Sequence, residues 1–274
     1  MSNKGAANLG KFFADIVCSK HNQNVMIRFV AIAGMGKSWA AQRLAQQISY
    51  YIAKKRGGTE DDYYNPKEDL AVISLDRVTH VMEHAKKYHV IVLDDVTAKA
   101  MNARNFATTS NKDLNAIVQT WRPNHNALIT TQQASFLVDK VWKNLFNYQI
   151  EIIESHFDKG FVIAKVKRIS YQHDKDKTYY PYIQEGNIRY VRCVITAPPK
   201  KWQQMYEEER AYQLKKIREL EQRKEAPQEQ PKTIKERCQE LQRDIEAGIY
   251  EGMTTKKICR MAGIKYGTYR NNKL

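Results

Sequence analysis

The residues whose types and spacing most directly suggest chemistry lie in segment 34–38, which reads GMGKS. The segment follows an apolar, strand-like run and precedes a helix-like one. A glycine turn in this context lets backbone N–H groups point at phosphate oxygens, and the helix N-terminus adds partial positive charge. Lys37 is expected to reach the β- and γ-phosphates of ATP, and the Ser38 hydroxyl to bind Mg²⁺. We expect nucleotide contacts from Ala33, Gly34, Met35, Gly36, Lys37, Ser38 and Trp39.

One position departs from the usual phosphate-loop pattern. That pattern has a glycine five residues before the second motif glycine, Gly36, and this chain has Ala31 there. A bare Gly-x-Gly-Lys-Ser also arises by chance, so the assignment depends on the strand before it and the helix after it.

A second segment supplies the acidic half of such a site. Residues 89–96 read HVIVLDDV, an apolar run that ends in two carboxylates. This pattern is typical of a buried parallel strand that delivers acids to the carboxyl edge of a sheet, where open α/β sheets bind ligands. We expect Asp94 to hold Mg²⁺, directly or through water, and Asp95 to polarise the attacking water. The alternative is an ordinary buried strand followed by a solvated turn.

Further polar residues are candidates for roles at the nucleotide. Thr131 and Gln132 end the next strand, which should lie beside the acidic one, so they could sense the γ-phosphate or orient the water; the alternative is a simple strand cap. Arg104 and Arg122 could each act as an arginine finger on a neighbouring subunit's nucleotide. Either arginine could equally be solvated or contact a phosphate.

Composition indicates a polyanionic partner. The 274 residues carry a formal charge of +15, and the sequence pI is near 9.5. Such a balance favours nucleic acid through electrostatic attraction and counterion release. The four cysteines contain no C-x-x-C pair, which argues against a disulfide framework or a cysteine zinc site. We see no signal peptide and no transmembrane segment, so we expect a cytoplasmic or virion-associated protein.

The order of patterns along the chain predicts an α/β fold. Strands at 25–33, 70–75, 89–96 and 127–131 alternate with helices that reach about residue 55 and cover 78–87 and 110–121, with an active-site loop at 97–109. This alternation predicts a parallel sheet covered on both faces, and together with the phosphate loop it indicates the fold class of a P-loop NTPase. Two added β-hairpins are then expected, at about 148–170 and 177–195, followed by a charged helix at 200–224.

The C-terminal part reads as a separate, small all-α unit. Residues 226–232 have linker composition, so we place an ATPase domain at 1–225 and a helix-turn-helix domain at 233–274. Helices are expected at 233–248, 254–262 and 266–273, with Gly263 as the left-handed turn residue. Segment 251–274 has six Lys or Arg and one acid. We expect DNA contacts from Lys256, Lys257, Lys265, Tyr266, Thr268, Tyr269, Arg270 and Asn271. The alternative is a helical bundle that binds protein.

Residues 25–225 resemble P-loop ATPases of archaeal viruses and plasmids, near the zonula occludens toxin and FtsK–HerA families. The segments that carry the resemblance are AIAGMGKS, IVLDD, NARNFATTSNKDLNAIVQTWR, ITTQQASFLVDKVWKNL and APPKKWQQMYEEER. Segment 251–274 resembles the helix-turn-helix of resolvase-type DNA-binding tails. Family members usually carry Glu at the second acidic position, where this chain has Asp95. The resemblance implies ring-forming motors that move or package DNA.

These observations leave three hypotheses for function. The first is a ring-shaped, ATP-hydrolysing DNA motor of a mobile element or virus, with viral or plasmid partner proteins. The second is an ATP-dependent DNA-binding regulator of the AAA+ kind, which the expected hairpins disfavour because AAA+ proteins have a helical lid there. The third is a nucleotide-gated switch without turnover.

Overall fold

The computed structural model describes residues 8–21, 24–95, 125–133, 145–172, 177–186, 188–225 and 233–272. Eight α-helices and eleven strands lie in these ranges. The helices are α1 (Leu9–Val17), α2 (Lys37–Arg56), α3 (Pro66–Asp69), α4 (Leu75–Glu83), α5 (Lys200–Glu225), α6 (Ile234–Glu246), α7 (Thr255–Met261) and α8 (Tyr266–Asn272). The strands are β1 (Val25–Val30), β2 (Leu70–Val72), β3 (Val90–Asp94), β4 (Ala127–Gln132), β5 (Tyr148–His156), β6 (Phe161–Arg168), β7 (Ser170–Gln172), β8 (Lys177–Tyr179), β9 (Ile183–Glu185), β10 (Ile188–Tyr190) and β11 (Arg192–Thr196).

One mixed sheet forms the centre of the larger unit. Its seven described strands run in the order β11-β6-β5-β1-β4-β3-β2. The five strands from β5 to β2 are mutually parallel. Strand β6 runs antiparallel to β5, and β11 runs antiparallel to β6, so β11 has the same direction as the five parallel strands. Strand β4 lies between β1, which leads into the phosphate loop, and β3, which carries the acids. The predicted α/β fold with a largely parallel sheet is therefore confirmed.

Alternation along β1 explains why the sheet is covered on both faces. Val25, Ile27 and Phe29 are fully buried in one hydrophobic cluster with α1 and α2, while Met26 packs in a second cluster with α4. Successive side chains of a strand point to opposite faces, so a strand buried on both faces is apolar almost throughout. The exception is Arg28, which is 2% exposed and donates two hydrogen bonds to the Gln149 side chain on β5.

Several predicted boundaries differ from the structure. Strand β2 ends at Val72 rather than at residue 75, because Ile73 has a φ of 59° and Ser74 caps helix α4. The second hairpin is also rearranged: β8 pairs with β7, and β9 with β10, while β11 joins the main sheet beside β6. The loop at 97–109 and the helix at 110–121 lie outside the described residues. None of the described helices is both long and apolar enough to cross a membrane.

Helix α5 has a buried face that its charged sequence obscures. Trp202 is 2% exposed and stacks on Tyr64, with ring centroids 5.5 Å apart. Three turns further on, the Gln213 side chain accepts a hydrogen bond from the Val72 N–H and donates one to the Leu70 carbonyl. The Gln213 side chain therefore joins the helix to the backbone of β2, the last of the described strands in the order of the sheet.

The chain divides into two compact units, residues 1–217 and 218–274. In the second unit, α6, α7 and α8 surround a small core of Cys238, Leu241, Ile258, Cys259, Ile264 and Tyr269. A capping box of Thr233 and Glu236 begins α6. Gly263, between α7 and α8, has a φ of 67°, the left-handed conformation expected for it. The domain boundary at 226–232 and the helix-turn-helix assignment stay predictions.

Candidate nucleotide-binding site

The phosphate loop lies between β1 and α2, where the sequence placed it. Gly34 and Gly36 have φ values of 81° and 82°, in the left-handed region that glycine adopts without a steric cost. Gly36 is the N-cap of the 20-residue helix α2. The first N–H groups of a helix have no partner within it, and together with the helix dipole they attract anions. The loop therefore has the backbone geometry of a phosphate site.

Lys37 is held against its own loop. Its Nζ donates to the carbonyl oxygens of Ala31 at 3.0 Å and Ile32 at 2.9 Å. An ammonium has three N–H donors, so Lys37 can also donate to a phosphate oxygen. Burial lowers the pKa of Lys37, and the charges of Asp95 and Asp94 oppose that effect. The lysine is thus placed between a phosphate loop and two carboxylates.

The departure at Ala31 has a structural explanation. Among the described non-glycine residues, a positive φ occurs only at Ile73, Tyr88, Asp95 and His125. Ala31 therefore fits its position without left-handed strain, and its carbonyl is free to accept the hydrogen bond from Lys37. Alanine in place of glycine does not distort the loop.

Asp94, fully buried at the end of β3, accepts three hydroxyl hydrogen bonds. Ser38 and Thr131 donate to its Oδ1 at 2.8 and 2.6 Å, and Tyr206 donates to its Oδ2 at 2.7 Å. Burial raises the pKa of Tyr206, and the charge of Asp94 raises it further, so the phenol remains a donor. Sequence reasoning found Ser38, Asp94 and Thr131 but missed Tyr206.

The oxygen groups at this point suit Mg²⁺. Ser38 lines the cavity described below and contacts Asp94, so a hydroxyl and a carboxylate oxygen lie together at the start of α2. Hard oxygen donors are the ligands that Mg²⁺ prefers, and it is usually held by one or two carboxylates with phosphates and water. The described residues contain no cluster of three or more His, Cys, Asp or Glu side chains that could hold a metal alone. Ser38 and Asp94 therefore fit a Mg²⁺ shared with phosphate oxygens.

Asp95 faces the same cavity with a different environment. Its backbone has a φ of 51°, and its N–H donates to the Thr131 Oγ1 at 2.9 Å. Burial raises the pKa of Asp95, and the neighbouring charge of Asp94 raises it further, while Lys37 and Arg210 act in the opposite direction. A carboxylate with a raised pKa is a better proton acceptor than an ordinary one.

Strand β4 lies directly beside β3, as predicted. Thr131 contacts Asp94 and the backbone of Asp95, so it links the two acids. The prediction for Gln132 is wrong, because its side chain is fully buried and donates to Thr130. The next residue, Gln133, lines the cavity instead. Residues 131 and 132 point to opposite faces of the strand, so only one of them can face the acids.

A cavity of about 400 Å³ opens over these groups. Residues from the loop, β3, the β5–β6 hairpin and helix α5 line it: Ala33, Gly34, Gly36, Lys37, Ser38, Trp39, Asp95, Gln133, Phe157, Tyr206, Glu207 and Arg210. Five of these residues were not identified from the sequence: Gln133, Phe157, Tyr206, Glu207 and Arg210. The two arginines that were, Arg104 and Arg122, lie outside the described residues.

An apolar recess of about 260 Å³ adjoins the cavity. Gly36, Trp39 and Phe157 line both spaces, and Val162 and Ile195 contribute apolar surface to the recess. Trp39 and Phe157 are 40% and 62% exposed, so their ring faces are accessible. Strand β5 also holds the loop, because the Ser155 hydroxyl donates to the Met35 carbonyl at 3.0 Å. The hairpin thus shapes one side of the loop.

In the second unit, most of the residues expected to contact DNA are on the surface. Lys256, Lys257, Lys265, Tyr266, Arg270 and Asn271 are exposed, and Thr268 is half-buried. The prediction that Tyr269 contacts DNA is wrong, because its side chain is 5% exposed and packs in the core of this unit. Its ring stabilises the packing of α8.

Neither a protein-family model nor a curated protein matches this sequence. Several solved structures are similar in part. The N-terminal domain of zonular occludens toxin from Neisseria meningitidis is 11% identical, with a TM-score of 0.34 over 59% of this chain and 95% of that one. The genome packaging NTPase of Sulfolobus turreted icosahedral virus 2, in complex with AMPPCP, is 9% identical, with a TM-score of 0.34 over 59% and 98%. A KaiC-like protein from Pyrococcus horikoshii is 12% identical, with a TM-score of 0.29 over 61% and 89%.

The strand order, the glycine loop that leads into α2 and the acids at the end of β3 are properties of this chain itself. By these features, the chain has the fold of a P-loop NTPase.

Proposed function

We propose that this chain is an ATPase that works on DNA. One observation carries the first half of the proposal: Lys37, Ser38 and Asp95 line a single cavity at the N-terminus of α2, and Asp94 lies in contact with Ser38. These are the groups that bind, neutralise and hydrolyse a nucleoside triphosphate in proteins of this fold.

The proposed reaction uses each group in a defined way. Lys37 and the N–H groups of the loop bind the β- and γ-phosphates, while Asp95 takes a proton from the attacking water. A bond forms between the water oxygen and the γ-phosphorus as the bond to the β–γ bridging oxygen breaks, which gives ADP and phosphate. Mg²⁺ at Ser38 and Asp94 would neutralise charge on these phosphates.

The nucleobase would occupy the apolar recess beside the loop. Trp39 and Phe157 offer aromatic faces next to Gly36, and the recess is lined almost entirely by apolar atoms. A flat aromatic base buries apolar area against such rings and gains from stacking. In this arrangement the phosphates would lie over the start of α2 and the base against the β5–β6 hairpin.

The charge of the chain supports the DNA half of the proposal. The net charge is +15, and five exposed basic residues of the second unit are Lys256, Lys257, Arg260, Lys265 and Arg270. Lysine and arginine on one small helical unit attract phosphates by counterion release. Tyr266 and Asn271, also exposed, could add contacts to bases.

We further propose that the chain is a ring-forming DNA motor and not a DNA-binding regulator of the AAA+ kind. Among the described residues, the strands that follow β4 in the sequence and join the main sheet are β5, β6 and β11, and β5 lies beside β1. An AAA+ protein would have a helical lid in this part of the sequence. A ring would place further arginines at each nucleotide, for which Arg104 and Arg122 remain candidates.

The test is ATP hydrolysis by the intact chain with and without double-stranded DNA. Lys37→Ala should abolish turnover, because it removes the charge that neutralises the phosphates. The double variant Lys265→Glu and Arg270→Glu should keep basal turnover and lose stimulation by DNA. Lys235→Glu is the matched control, since Lys235 is an exposed lysine of the same unit on another helix, α6.

The outcomes separate the hypotheses. DNA-stimulated turnover together with translocation along DNA supports the motor, whereas turnover without translocation supports the regulator. Turnover no higher than that of Lys37→Ala under every condition would leave a nucleotide switch and overturn the proposal.

A further inference from the structure

Helix α5 brings a cation into the nucleotide cavity that the sequence did not indicate. Trp202, Tyr206, Arg210 and Gln213 are spaced by four, four and three residues, which places them on one face of the helix. Trp202 stacks on Tyr64, Tyr206 donates to Asp94, and Gln213 pairs with β2. Contacts on both sides of Arg210 therefore fix its position along the helix.

Arg210 lines the cavity together with Lys37, Ser38 and Asp95. Its Nε is buried and has no hydrogen-bond partner, and among the described residues no carboxylate forms an ion pair with its guanidinium within 4.0 Å. Buried donors without partners are costly, and a guanidinium matches an anion with two parallel hydrogen bonds. The group is therefore placed to bind an anion in this cavity.

The position of Arg210 identifies which part of a nucleotide it would meet. It lines the same cavity as Lys37, which binds the β- and γ-phosphates in the proposed reaction, and Asp95, which takes a proton from the attacking water there. Trp39 and Phe157 line both the cavity and the recess proposed for the base, whereas Arg210 lines only the cavity. Arg210 therefore lies at the end of the cavity where the terminal phosphate is hydrolysed.

We propose that Arg210 binds the γ-phosphate of a nucleoside triphosphate held by its own chain. The proposal rests on the proposed ATPase function and adds a residue that distinguishes triphosphate from diphosphate. It also means that a stabilising arginine acts within one chain, in addition to any arginine that a neighbouring subunit supplies.

The test compares the affinities of the full-length chain for ADP and for β,γ-imido-ATP by calorimetry. Arg210→Ala should weaken binding of β,γ-imido-ATP by about 10- to 100-fold, as the loss of a charged hydrogen bond to phosphate predicts. Binding of ADP should change by less than about twofold, because ADP has no γ-phosphate. Arg210→Lys should restore part of the loss, since it keeps the charge but not the bidentate geometry.

Lys215→Ala is the matched control, because Lys215 is an exposed cation on the same helix outside the cavity. Equal weakening of both nucleotides by Arg210→Ala would assign the residue a structural role and overturn the proposal, as would no weakening of either. Thermal unfolding of Arg210→Lys, the milder substitution, checks that the fold is kept. If the unsubstituted chain binds neither nucleotide, the proposed ATPase function itself fails.

Discussion

Tyr206→Phe isolates the contribution of helix α5 to the acidic end of β3. The substitution keeps the ring and removes only the hydroxyl that donates to Asp94 Oδ2 at 2.7 Å. Both residues are buried, at 2% exposure for Tyr206 and 0% for Asp94, so water cannot replace the lost donor without rearrangement. Removing one partner of a buried hydrogen bond to a charged group costs about 1.5–3 kcal/mol.

This free energy converts into a measurable change in thermal stability. For a unit of about 200 residues, 1 kcal/mol shifts the midpoint of unfolding by about 2–4 °C, so Tyr206→Phe should lower Tm by about 3–12 °C. The assay is thermal unfolding followed by circular dichroism in a chelator, which keeps Mg²⁺ from the carboxylate. Tyr212→Phe is the control, because Tyr212 is on the same helix with 53% exposure.

A double variant tests whether the loss of stability depends on the charge of Asp94. In an Asp94→Asn background the charge that Tyr206 satisfies is gone, so Tyr206→Phe should cost at least about 1 kcal/mol less than in the unsubstituted chain. If Tyr206→Phe melts within about 1–2 °C of Tyr212→Phe, the Tyr206 hydroxyl does not stabilise Asp94. The same conclusion follows if Tyr206→Phe lowers stability equally in the unsubstituted chain and in Asp94→Asn.

Three further predictions follow from the site and the helical unit. Asp95→Asn should abolish ATP hydrolysis and raise Tm at pH 7. The pKa of Asp95 in the folded chain is raised above 3.8, so the ionised carboxylate lowers stability once the pH exceeds this raised pKa. Thermal unfolding measured from pH 7 down toward pH 4 should therefore show the difference in Tm between the Asn variant and the unsubstituted chain disappear. Phe157→Ala should weaken the binding of ADP and of β,γ-imido-ATP equally, by roughly 2- to 12-fold, because both nucleotides lose the same stacking contact. Unequal losses of affinity in calorimetry would show that the base does not bind against Phe157. Arg270→Ala should reduce the slope of log affinity for DNA against log salt concentration by about 1, measured by DNA titrations at several salt concentrations. Tyr269→Ala should instead unfold the helical unit, which circular dichroism of both variants will show.

The phosphate loop and the acidic strand were predictable because their signals are local. A loop of the type GMGKS carries its chemistry within five consecutive residues, and the strand that ends in Asp94 and Asp95 shows its burial in its own composition. Thr131 was predictable for the same reason, since it ends the strand that pairs with the acidic one.

The contribution of helix α5 was not predictable in this way. Tyr206 lies 112 residues from Asp94 in the sequence, so their contact depends on where the helix packs against the sheet. The helix is highly charged, which conceals its buried face. The spacing of Trp202, Tyr206 and Gln213, three bulky or buried residues on one helical face, was the signal that could have found it.

The prediction for Gln132 was wrong for a different reason. Strand side chains alternate between faces, so an error of one residue in the position of the strand end moves a side chain from one face to the other. Composition does not fix that position, because both residues are glutamine.

The left-handed backbone of Asp95 bears on which acid this position can hold. Aspartate and asparagine adopt a positive φ more readily than residues with longer side chains, because their short polar groups can bond locally. A glutamate, which is usual in similar ATPases, would be strained at a φ of 51°. Replacing Asp95 with glutamate is therefore not a conservative exchange here, because the longer side chain would add backbone strain directly after β3.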